Sequence, residues 1–238
     1  MALFGLIGYP LSHSFSAGLF PENSYALFPL PGLSDFPSLV RNHPELKGLN
    51  VTFPYKERIL PYLTRLIEPA GEIGAVNAIR IRREKTNLIL EGYNTDAEGF
   101  LQSADFSGHR NALILGTGGA AKAVGYALKK LGIQFWFVSR QPIDNKILSY
   151  HQLKHDFISK ATLIINATPL GMYPAQDTFP PIPYELLTER YFLYDLVYNP
   201  PVTAFLKRGA HSGCRLQNGE KMLRLQATAS YRIFTSEG

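Results

Sequence analysis

A glycine-rich stretch near the middle of the chain constrains the fold more than any other feature. The apolar run Leu113-Ile114-Leu115 ends in Gly116-Thr117-Gly118-Gly119-Ala120-Ala121, and a run with helical spacing follows. A first glycine permits a tight turn, a second lets N–H groups approach a pyrophosphate, and a small third residue lets helix pack on strand. The start of the helix then offers free N–H groups and a positive dipole end. The stretch predicts a phosphate-binding strand–turn–helix, and a purely structural glycine turn is the alternative.

The residues around this stretch repeat a strand–helix rhythm. The spacing predicts strands at 112–115, 133–138, 161–166, 192–197 and 214–217, with helices at 119–131, 146–156 and 202–208. Such alternation is typical of a doubly wound parallel sheet. Because it supplies the context that the glycine turn requires, we predict an α/β chain with a Rossmann-type dinucleotide-binding domain.

The end of the second strand of that domain bears on which dinucleotide binds. An NAD-binding unit usually carries Asp or Glu about 20 residues past the glycines, bonded to the ribose 2′-OH. Here the strand ends in Ser139-Arg140 and no acid. Since arginine clamps a 2′-phosphate with paired donors, the sequence favours NADP. The alternative is that Arg140 is a surface residue and that Asp144 binds the ribose.

The N-terminal part predicts strands that end in polar residues. Ser14 and Ser16 follow a first strand at 2–8, either as helix caps or as hydroxyls presented to a small anion. Lys56 follows a strand at 48–52, in the first turn of a helix that we expect to open after Pro54. A lysine there opposes the helix dipole, which hints at a function, although a solvent-facing lysine is the common alternative.

Three further polar residues interrupt or end apolar segments. Asn77 lies within an apolar run, so we expect its amide to be buried and bonded to backbone or ligand. Asp96 follows a strand at 88–93, where Thr95 or Asp96 can cap a helix or Asp96 can bring a carboxylate to a ligand. Gln226 lies in a last helix that runs from about residue 219 to 235, either facing a ligand or exposed.

Composition excludes several classes of protein. The one cysteine, Cys214, allows no intramolecular disulfide. No signal-peptide pattern and no membrane-spanning run occurs, so we expect a cytoplasmic protein without membrane contact. The net charge of +5 comes from scattered residues, and we interpret the densest cluster, at 80–85, as a solvated edge. We expect no nucleic-acid partner and, because the six histidines are dispersed, no metal.

Taken in order, the motifs resemble the shikimate dehydrogenases from end to end. The motifs are Ser14-Phe15-Ser16, Asn50-Val51-Thr52-Phe53-Pro54-Tyr55-Lys56, Gly74-Ala75-Val76-Asn77, Asn94-Thr95-Asp96, Gly116 to Ala121, Asn166-Ala167-Thr168-Pro169-Leu170-Gly171-Met172 and Asn218-Gly219…Gln226. The resemblance implies a substrate domain at 1–98 and 219–238, completed by the C-terminal helix, and an NADP-binding domain at 99–218. It also implies reversible NADPH-dependent reduction of 3-dehydroshikimate to shikimate in chorismate and aromatic amino-acid biosynthesis.

The same resemblance implies a role for each matching residue. Lys56 and Asp96 would form the acid/base pair. The implied substrate-binding residues are Ser14, Ser16, Thr52, Asn77, Tyr198 and Gln226. The implied cofactor-binding residues are Gly116, Gly118, Gly119, Ala120, Ala121, Ser139, Arg140, Thr168, Val197, Gly219 and Met222.

Two alternatives accompany this interpretation. A quinate/shikimate dehydrogenase with relaxed substrate or cofactor choice uses the same scaffold. A non-catalytic NADP-binding regulator is the second alternative, and the intact Lys56 and Asp96 argue against it. We expect a monomer or a homodimer.

Overall fold

The chain folds into two compact units. The computed structural model describes residues 3–11, 15–85 and 87–236, the side chains of residues 15, 16 and 156 excepted. Unit 1 comprises Met1–Gly99 with Leu223–Gly238, and unit 2 comprises Phe100–Met222. The domain limits expected from the sequence, after residues 98 and 218, and the roles assigned to the two domains stay predictions.

The elements of the described residues are named in chain order. The strands are β1 Leu3–Gly8, β2 Tyr25–Pro29, β3 Leu46–Val51, β4 Arg65–Leu66, β5 Ala78–Glu84, β6 Asn87–Tyr93, β7 Asn111–Leu115, β8 Gln134–Ser139, β9 Ile147–Ser149, β10 Leu163–Asn166, β11 Phe192–Asp195 and β12 Arg215–Gln217. The α-helices are α1 Phe36–Asn42, α2 Ala70–Ile73, α3 Asp96–Ser103, α4 Gly119–Lys130, α5 His155–Ile158, α6 Ala204–His211 and α7 Glu220–Thr235. No described helix combines the length and the apolar character that crossing a lipid bilayer requires.

Unit 1 is built on a mixed sheet in the order β2-β1-β3-β5-β6-β4. β1 is parallel to β2 and β3, whereas β3–β5 and β5–β6 are antiparallel. β1 is an apolar run because both of its faces are covered. Ile7 packs with Phe36 on one face, and Phe4 stacks on Phe234 of α7 on the other. The C-terminal helix is thereby fixed to the sheet of unit 1.

Unit 2 is a parallel sheet in the order β12-β11-β10-β7-β8-β9. Counted from its first strand, β7, this is the 3-2-1-4-5-6 order of the Rossmann fold. The order in which strands are added reverses between β7 and β10: β8 and β9 lie on one side of β7, and β10, β11 and β12 lie on the other. In such folds ligands bind beyond the carboxyl ends of the strands at that point, and β7 ends at the glycine turn. The predicted α/β fold class is confirmed.

The prediction that a helix opens after Pro54 is wrong. Residues 53–59 form turns, in which the Ile59 N–H donates to the Tyr55 carbonyl at 2.9 Å, and a single 3-10 turn follows at Leu60–Tyr62. Tertiary contacts decide this conformation, since Ile59 is fully buried and the Tyr55 hydroxyl donates to the Leu30 carbonyl at 2.5 Å. Lys56 therefore lies in a turn, and the argument from the helix dipole does not apply to it.

The prediction of a helix over residues 146–156 is also wrong for the first part of that segment. Residues 147–149 form β9, which pairs in parallel with β8, and a 3-10 turn at Tyr150–Gln152 follows. Ser149 caps that turn through a capping box with Gln152. Leu148 is buried against the sheet, so pairing with β8 outweighs the helical spacing of the segment.

Gly48 of β3 tests how closely α7 packs on the sheet of unit 1. A Cβ atom at this position would overlap the ring of Phe234. We expect Gly48→Ala to lower the free energy of unfolding by about 1–3 kcal/mol through overpacking, although glycine-to-alanine changes in strands are ordinarily favourable. Guanidinium denaturation measures the change. Gly18→Ala is the matched control because a Cβ there meets nothing within 4 Å. A Gly48 variant as stable as the control would contradict the packing argument.

Candidate active site and cofactor-binding turn

The first site feature is an ion pair between Lys56 and Asp96 in unit 1. The Lys56 Nζ donates to Asp96 Oδ2 at 2.5 Å. Lys56 lies in the turn after β3, and Asp96 is the first residue of α3, separated from the end of β6 by Asn94 and Thr95. Both side chains are largely removed from solvent, with 17% and 5% exposed. A charged pair held this closely at the edge of water is suited to exchanging a proton with a ligand.

Asn77 holds the other oxygen of this carboxylate. Its Nδ2 group donates to Asp96 Oδ1 and to Thr95 Oγ1, each at 2.9 Å, and contacts Gln226 Oε1 at 3.2 Å. Its Oδ1 accepts from the Thr95 N–H at 2.7 Å. The prediction of a buried Asn77 amide is confirmed, since 2% of the residue is exposed. Asn77 thus links the start of α3 to helix α7.

The polar cluster extends to residues that the sequence analysis did not assign to the site. Thr95 Oγ1 lies 3.1 Å from Ser230 Oγ, which accepts from Asn50 Nδ2 at 2.9 Å. The Tyr25 hydroxyl donates to Asn50 Oδ1 at 3.1 Å. Two signals were available: Asn50 interrupts an apolar strand as Asn77 does, and Ser230 follows Gln226 by four residues on one helix face.

The remaining substrate-binding predictions of unit 1 have different outcomes. Ser14 lies outside the described residues, as does the side chain of Ser16. Thr52 follows β3, is partly exposed, and its N–H donates to the Ile7 carbonyl at 2.9 Å. Gln226 is half-buried, so the alternative of an exposed residue is excluded. Their roles toward a ligand stay predictions.

Asn94 contributes a side-chain hydrogen bond at the start of α3. Asn94 Oδ1 accepts from the Ala97 N–H at 3.1 Å. Asp96 is helical and turns its carboxylate to Lys56 and Asn77. The alternative that Asp96 caps the helix is wrong, because Asp96 lies within α3 and its carboxylate forms the ion pair, whereas a cap by Thr95 stays a prediction.

The glycine turn of unit 2 has the geometry expected of a phosphate site. Gly116 has φ of +110°, in the region that favours glycine, and its Cβ would crowd the Ala167 carbonyl. Gly118 is the N-cap of α4, makes no side-chain cap bond, and borders open space where a Cβ would meet nothing within 4 Å. Gly119 and Ala121 are buried against the sheet. The first turn of α4 contains no acidic residue, so its N–H groups suit an anion.

The residues expected at the adenosine end lie on the loop after β8. Ser139 is the last residue of β8, and its Oγ accepts from the Gln141 N–H at 3.1 Å. Arg140 is exposed at the start of the loop. Asp144, the alternative ribose ligand, accepts from the Lys146 N–H at 2.7 Å within the same loop. Both candidates for the ribose end, Arg140 and Asp144, therefore lie on one loop.

The other predicted cofactor residues, and the predicted substrate residue Tyr198, follow the carboxyl ends of β10, β11 and β12. Thr168 donates through its hydroxyl to Asn166 Oδ1 at 2.6 Å. Val197 and Met222 are buried. Tyr198 is half-buried, and burial raises the pKa of its phenol. A side chain at Gly219 would overlap the Leu196 carbonyl, so the close approach of two backbone segments already requires glycine there.

A buried carboxylate in unit 2 was not singled out by the sequence analysis. Asp195, the last residue of β11, is fully buried and lies beside Asn166 in the sheet register. Burial raises the pKa of Asp195 and outweighs the hydrogen bonds from Thr203, Val197 and Asn166, so that the pKa is about 7. The available signal was an acid between an apolar strand and a pair of prolines.

The interpretation of the basic cluster at residues 80–85 as a solvated edge is incomplete. Arg80 and Arg82 lie within 3.8 and 3.9 Å of the buried Glu91 carboxylate, which also pairs with Arg65. These cations and hydrogen bonds hold the pKa of Glu91 below its ordinary value against the effect of burial. The cluster therefore neutralises a carboxylate of the same sheet. Within the described ranges, no group of three or more His, Cys, Asp or Glu could hold a metal ion.

Fold and site together define a class: an α/β chain with a Rossmann-type unit, whose glycine turn has the geometry of a phosphate site, and a second unit that carries a lysine–aspartate pair. Comparison with known proteins gives the family. Residues 6–79 match the family model of the shikimate dehydrogenase substrate binding domain. The chain is 34% identical to shikimate dehydrogenase (NADP(+)) of Caldanaerobacter subterraneus, over 99% of this chain and 92% of that protein.

Solved structures agree with the sequence comparison. Shikimate dehydrogenase 1 of Peptoclostridium difficile superposes with a TM-score of 0.85 at 36% identity, covering 98% of this chain and 92% of that one. Shikimate 5-dehydrogenase of Thermus thermophilus, in complex with NADP(H) and shikimate, gives a TM-score of 0.83 at 31% identity, covering 99% and 94%. The chain belongs to the shikimate dehydrogenase family.

Proposed function

We propose that this chain is an NADP-dependent oxidoreductase that reversibly reduces 3-dehydroshikimate to shikimate. The observation that carries the proposal is the Lys56–Asp96 pair, held at 2.5 Å in a chain that also has a Rossmann unit. The names of the relatives, and the NADP(H) and shikimate bound to the Thermus protein, support the same substrate and cofactor. A cytoplasmic enzyme of aromatic biosynthesis follows as part of the proposal.

The residues of unit 2 fit a dinucleotide. Open space beside Gly118 and the uncapped start of α4 suit a pyrophosphate, and Arg140 is the residue proposed for the 2′-phosphate. Thr168, Val197 and Tyr198, beyond the strand ends, are proposed to face the nicotinamide and the substrate. When bound, NADPH supplies the hydride.

The Lys56–Asp96 pair transfers the proton to and from the reacting oxygen. A carbonyl that receives hydride develops negative charge on oxygen, and a cation or proton donor beside it lowers the barrier. An ammonium group has three N–H donors, and contacts among the described residues account for one of those of Lys56. The pair gives a proton to the oxygen in reduction and takes it back in the reverse reaction. Because a hydrogen bond of 2.5 Å joins the two groups, we assign the proton transfer to the pair and not to one residue.

Asn77 and Gln226 orient this pair and the substrate. Asn77 fixes Asp96 Oδ1, so that Oδ2 remains directed at Lys56. The Gln226 amide contacts Asn77 and is held at its other end by the Leu223 carbonyl at 3.0 Å. We propose that their polar edges, with Thr52, surround the substrate hydroxyls, and that Ser14 and Ser16 bind its carboxylate.

Turnover with defined substrates tests the function. The purified protein is mixed with shikimate and NADP, and in parallel with quinate and NAD, and nicotinamide absorbance is followed. We expect reduction of NADP with shikimate. Absence of turnover with shikimate contradicts the proposed function, and a strict preference for NAD contradicts the role given to Arg140.

Lys56→Ala tests the proton-transfer role. Loss of the donor should lower kcat/KM by about 10²–10⁴-fold, the range that general acid–base groups contribute, with little change in NADP affinity. Lys47→Ala is the matched control because Lys47 is exposed on the preceding strand. The single variant leaves Asp96 buried without its cation, so the double variant K56A/D96N is measured as well and its folding checked by circular dichroism. A folded variant with a near-normal rate removes Lys56 from the mechanism.

Gly118→Val tests the phosphate site separately from folding. The residue has extended backbone (φ −76°, ψ −178°) that any residue adopts, and its Cβ borders open space. We expect unchanged stability to denaturant, and NADP affinity at least about tenfold weaker in calorimetry, or roughly 1.4 kcal/mol. Gly18→Val, also in open space but in unit 1, is the control. Undiminished NADP binding by the Gly118 variant would show that the phosphates lie elsewhere.

A further inference from the structure

Two buried polar residues lie side by side at the carboxyl edge of the sheet in unit 2. Asn166 ends β10 and Asp195 ends β11, and the parallel register places them opposite each other. Neither is exposed to solvent. The Asn166 Nδ2 group donates to Asp195 Oδ1 at 2.9 Å. Apolar residues could occupy both positions without the cost of burying polar groups. A fully buried, hydrogen-bonded pair therefore indicates a specific role.

Asp195 is held by neutral donors from three separate segments. Its Oδ1 accepts from Asn166 and from the Val197 N–H at 3.0 Å, and its Oδ2 accepts from the Thr203 hydroxyl at 2.5 Å. Thr203 is also the N-cap of α6, where its Oγ1 accepts from the Leu206 N–H at 3.3 Å. No ion pair of Asp195 is found among the described residues. One carboxyl group therefore joins the end of β10, the loop after β11 and the start of α6.

Through Asn166 the same contacts reach the loop after β10. Asn166 Oδ1 accepts from the N–H and the hydroxyl of Thr168, at 3.1 and 2.6 Å. The Asn166 Nδ2 group also contacts the Leu170 carbonyl at 3.2 Å. The Asn166 amide is thus fully engaged: its oxygen holds Thr168 while its nitrogen is held by Asp195.

We propose that Asp195 is a positioning residue for the hydride-transfer end of the cofactor site, acting through the loops at 166–171 and 196–203. These loops carry Thr168, Val197 and Tyr198, and the proposal rests on the function assigned above only for their placement at the nicotinamide. The residues proposed for the pyrophosphate and the 2′-phosphate, at 116–121 and Arg140, share no hydrogen bond with Asp195. Asp195 should therefore govern the rate of hydride transfer more than the affinity for the cofactor.

Hydrogen-bond geometry, rather than charge, is what Asp195 contributes. The partner of Oδ2 is a hydroxyl, which can donate to a carboxylate or accept from a carboxylic acid. Both donors to Oδ1 are satisfied in either state. Burial that raises the pKa of Asp195 to about 7 agrees with a site that tolerates both forms. An amide at position 195 keeps the acceptor for Asn166 and Val197 and can donate to Thr203.

The test compares Asp195→Ala with Asp195→Asn. For the alanine variant we expect kcat with shikimate and NADP to fall at least thirtyfold, while the dissociation constant of NADP, measured by calorimetry, changes less than threefold. The asparagine variant should recover at least a third of the wild-type kcat. A variant that is only less stable would not combine a lower kcat with an unchanged affinity for NADP. All measurements are therefore made well below the unfolding midpoint of each variant.

Amide hydrogen exchange of the cofactor-free protein supplies a readout independent of turnover. In Asp195→Ala the Val197 N–H loses its acceptor directly, whereas the Thr168 N–H is bonded to Asn166 and not to Asp195. Faster exchange of Thr168 in the alanine variant, restored in the asparagine variant, supports transmission through Asn166. Unchanged exchange of Thr168 overturns the proposal. If the wild-type protein does not turn over shikimate, the proposed function fails and the exchange comparison still decides the role of Asp195.

Thr203 provides a second, milder pair should Asp195→Ala not fold. Thr203→Val keeps the shape and removes the hydroxyl, and Thr203→Ser keeps the hydroxyl. We expect a threefold to tenfold lower kcat for the valine variant and recovery in the serine variant, with NADP affinity maintained in both. Equal kcat values for the two variants, or an Asp195→Asn variant as impaired as Asp195→Ala, would overturn the proposal.

Discussion

The buried carboxylate of Asp96 is the constraint on which the site of unit 1 depends. Removing an ionised carboxylate from water costs several kcal/mol unless a charge and hydrogen bonds replace the lost hydration. Lys56 supplies the charge and Asn77 the hydrogen bond. These residues come from the turns and strand junctions after β3, before β5 and after β6. The requirement to satisfy one carboxylate thus brings three distant segments together, and the resulting lysine–aspartate pair is the proposed acid/base group.

Unit 2 satisfies its buried carboxylate in a different way. Asp195 has neutral donors where Asp96 has a cation, and burial raises the pKa of Asp195 to about 7. A pair with a mobile proton is useful where a substrate oxygen must be protonated. A carboxyl group enclosed by an amide, a backbone N–H and a hydroxyl is better suited to holding loops in place. The difference in partners therefore supports the proposed chemical role for Asp96 and the proposed positioning role for Asp195.

Much of the fold was predictable because it follows from local periodicity. The buried strands of unit 2 are continuous apolar runs bounded by turns, and their alternation with helices led to the correct fold class. The two errors have one cause. Pro54 suggested the start of a helix, and spacing suggested a helix at 147–149, but the burial of Ile59 and the pairing of Leu148 in β9 decided the structure. Such contacts join residues far apart in sequence, and a single sequence does not display them.

The polar network of unit 1 shows why the site was harder to predict than the fold. Asn77 was found because a polar residue in an apolar run must have a buried partner, but the rule does not say which partner. Ser230 bonds Asn50 across 180 positions of the chain, and nothing in the local sequence of either residue indicates the other. Gly219 shows that a motif residue can have a structural reason instead. Its place in a motif suggested contact with a cofactor, whereas the Leu196 carbonyl already leaves no room for a side chain. A motif identifies a position that matters, and only the surrounding structure separates the residues that hold a ligand from those that hold the chain.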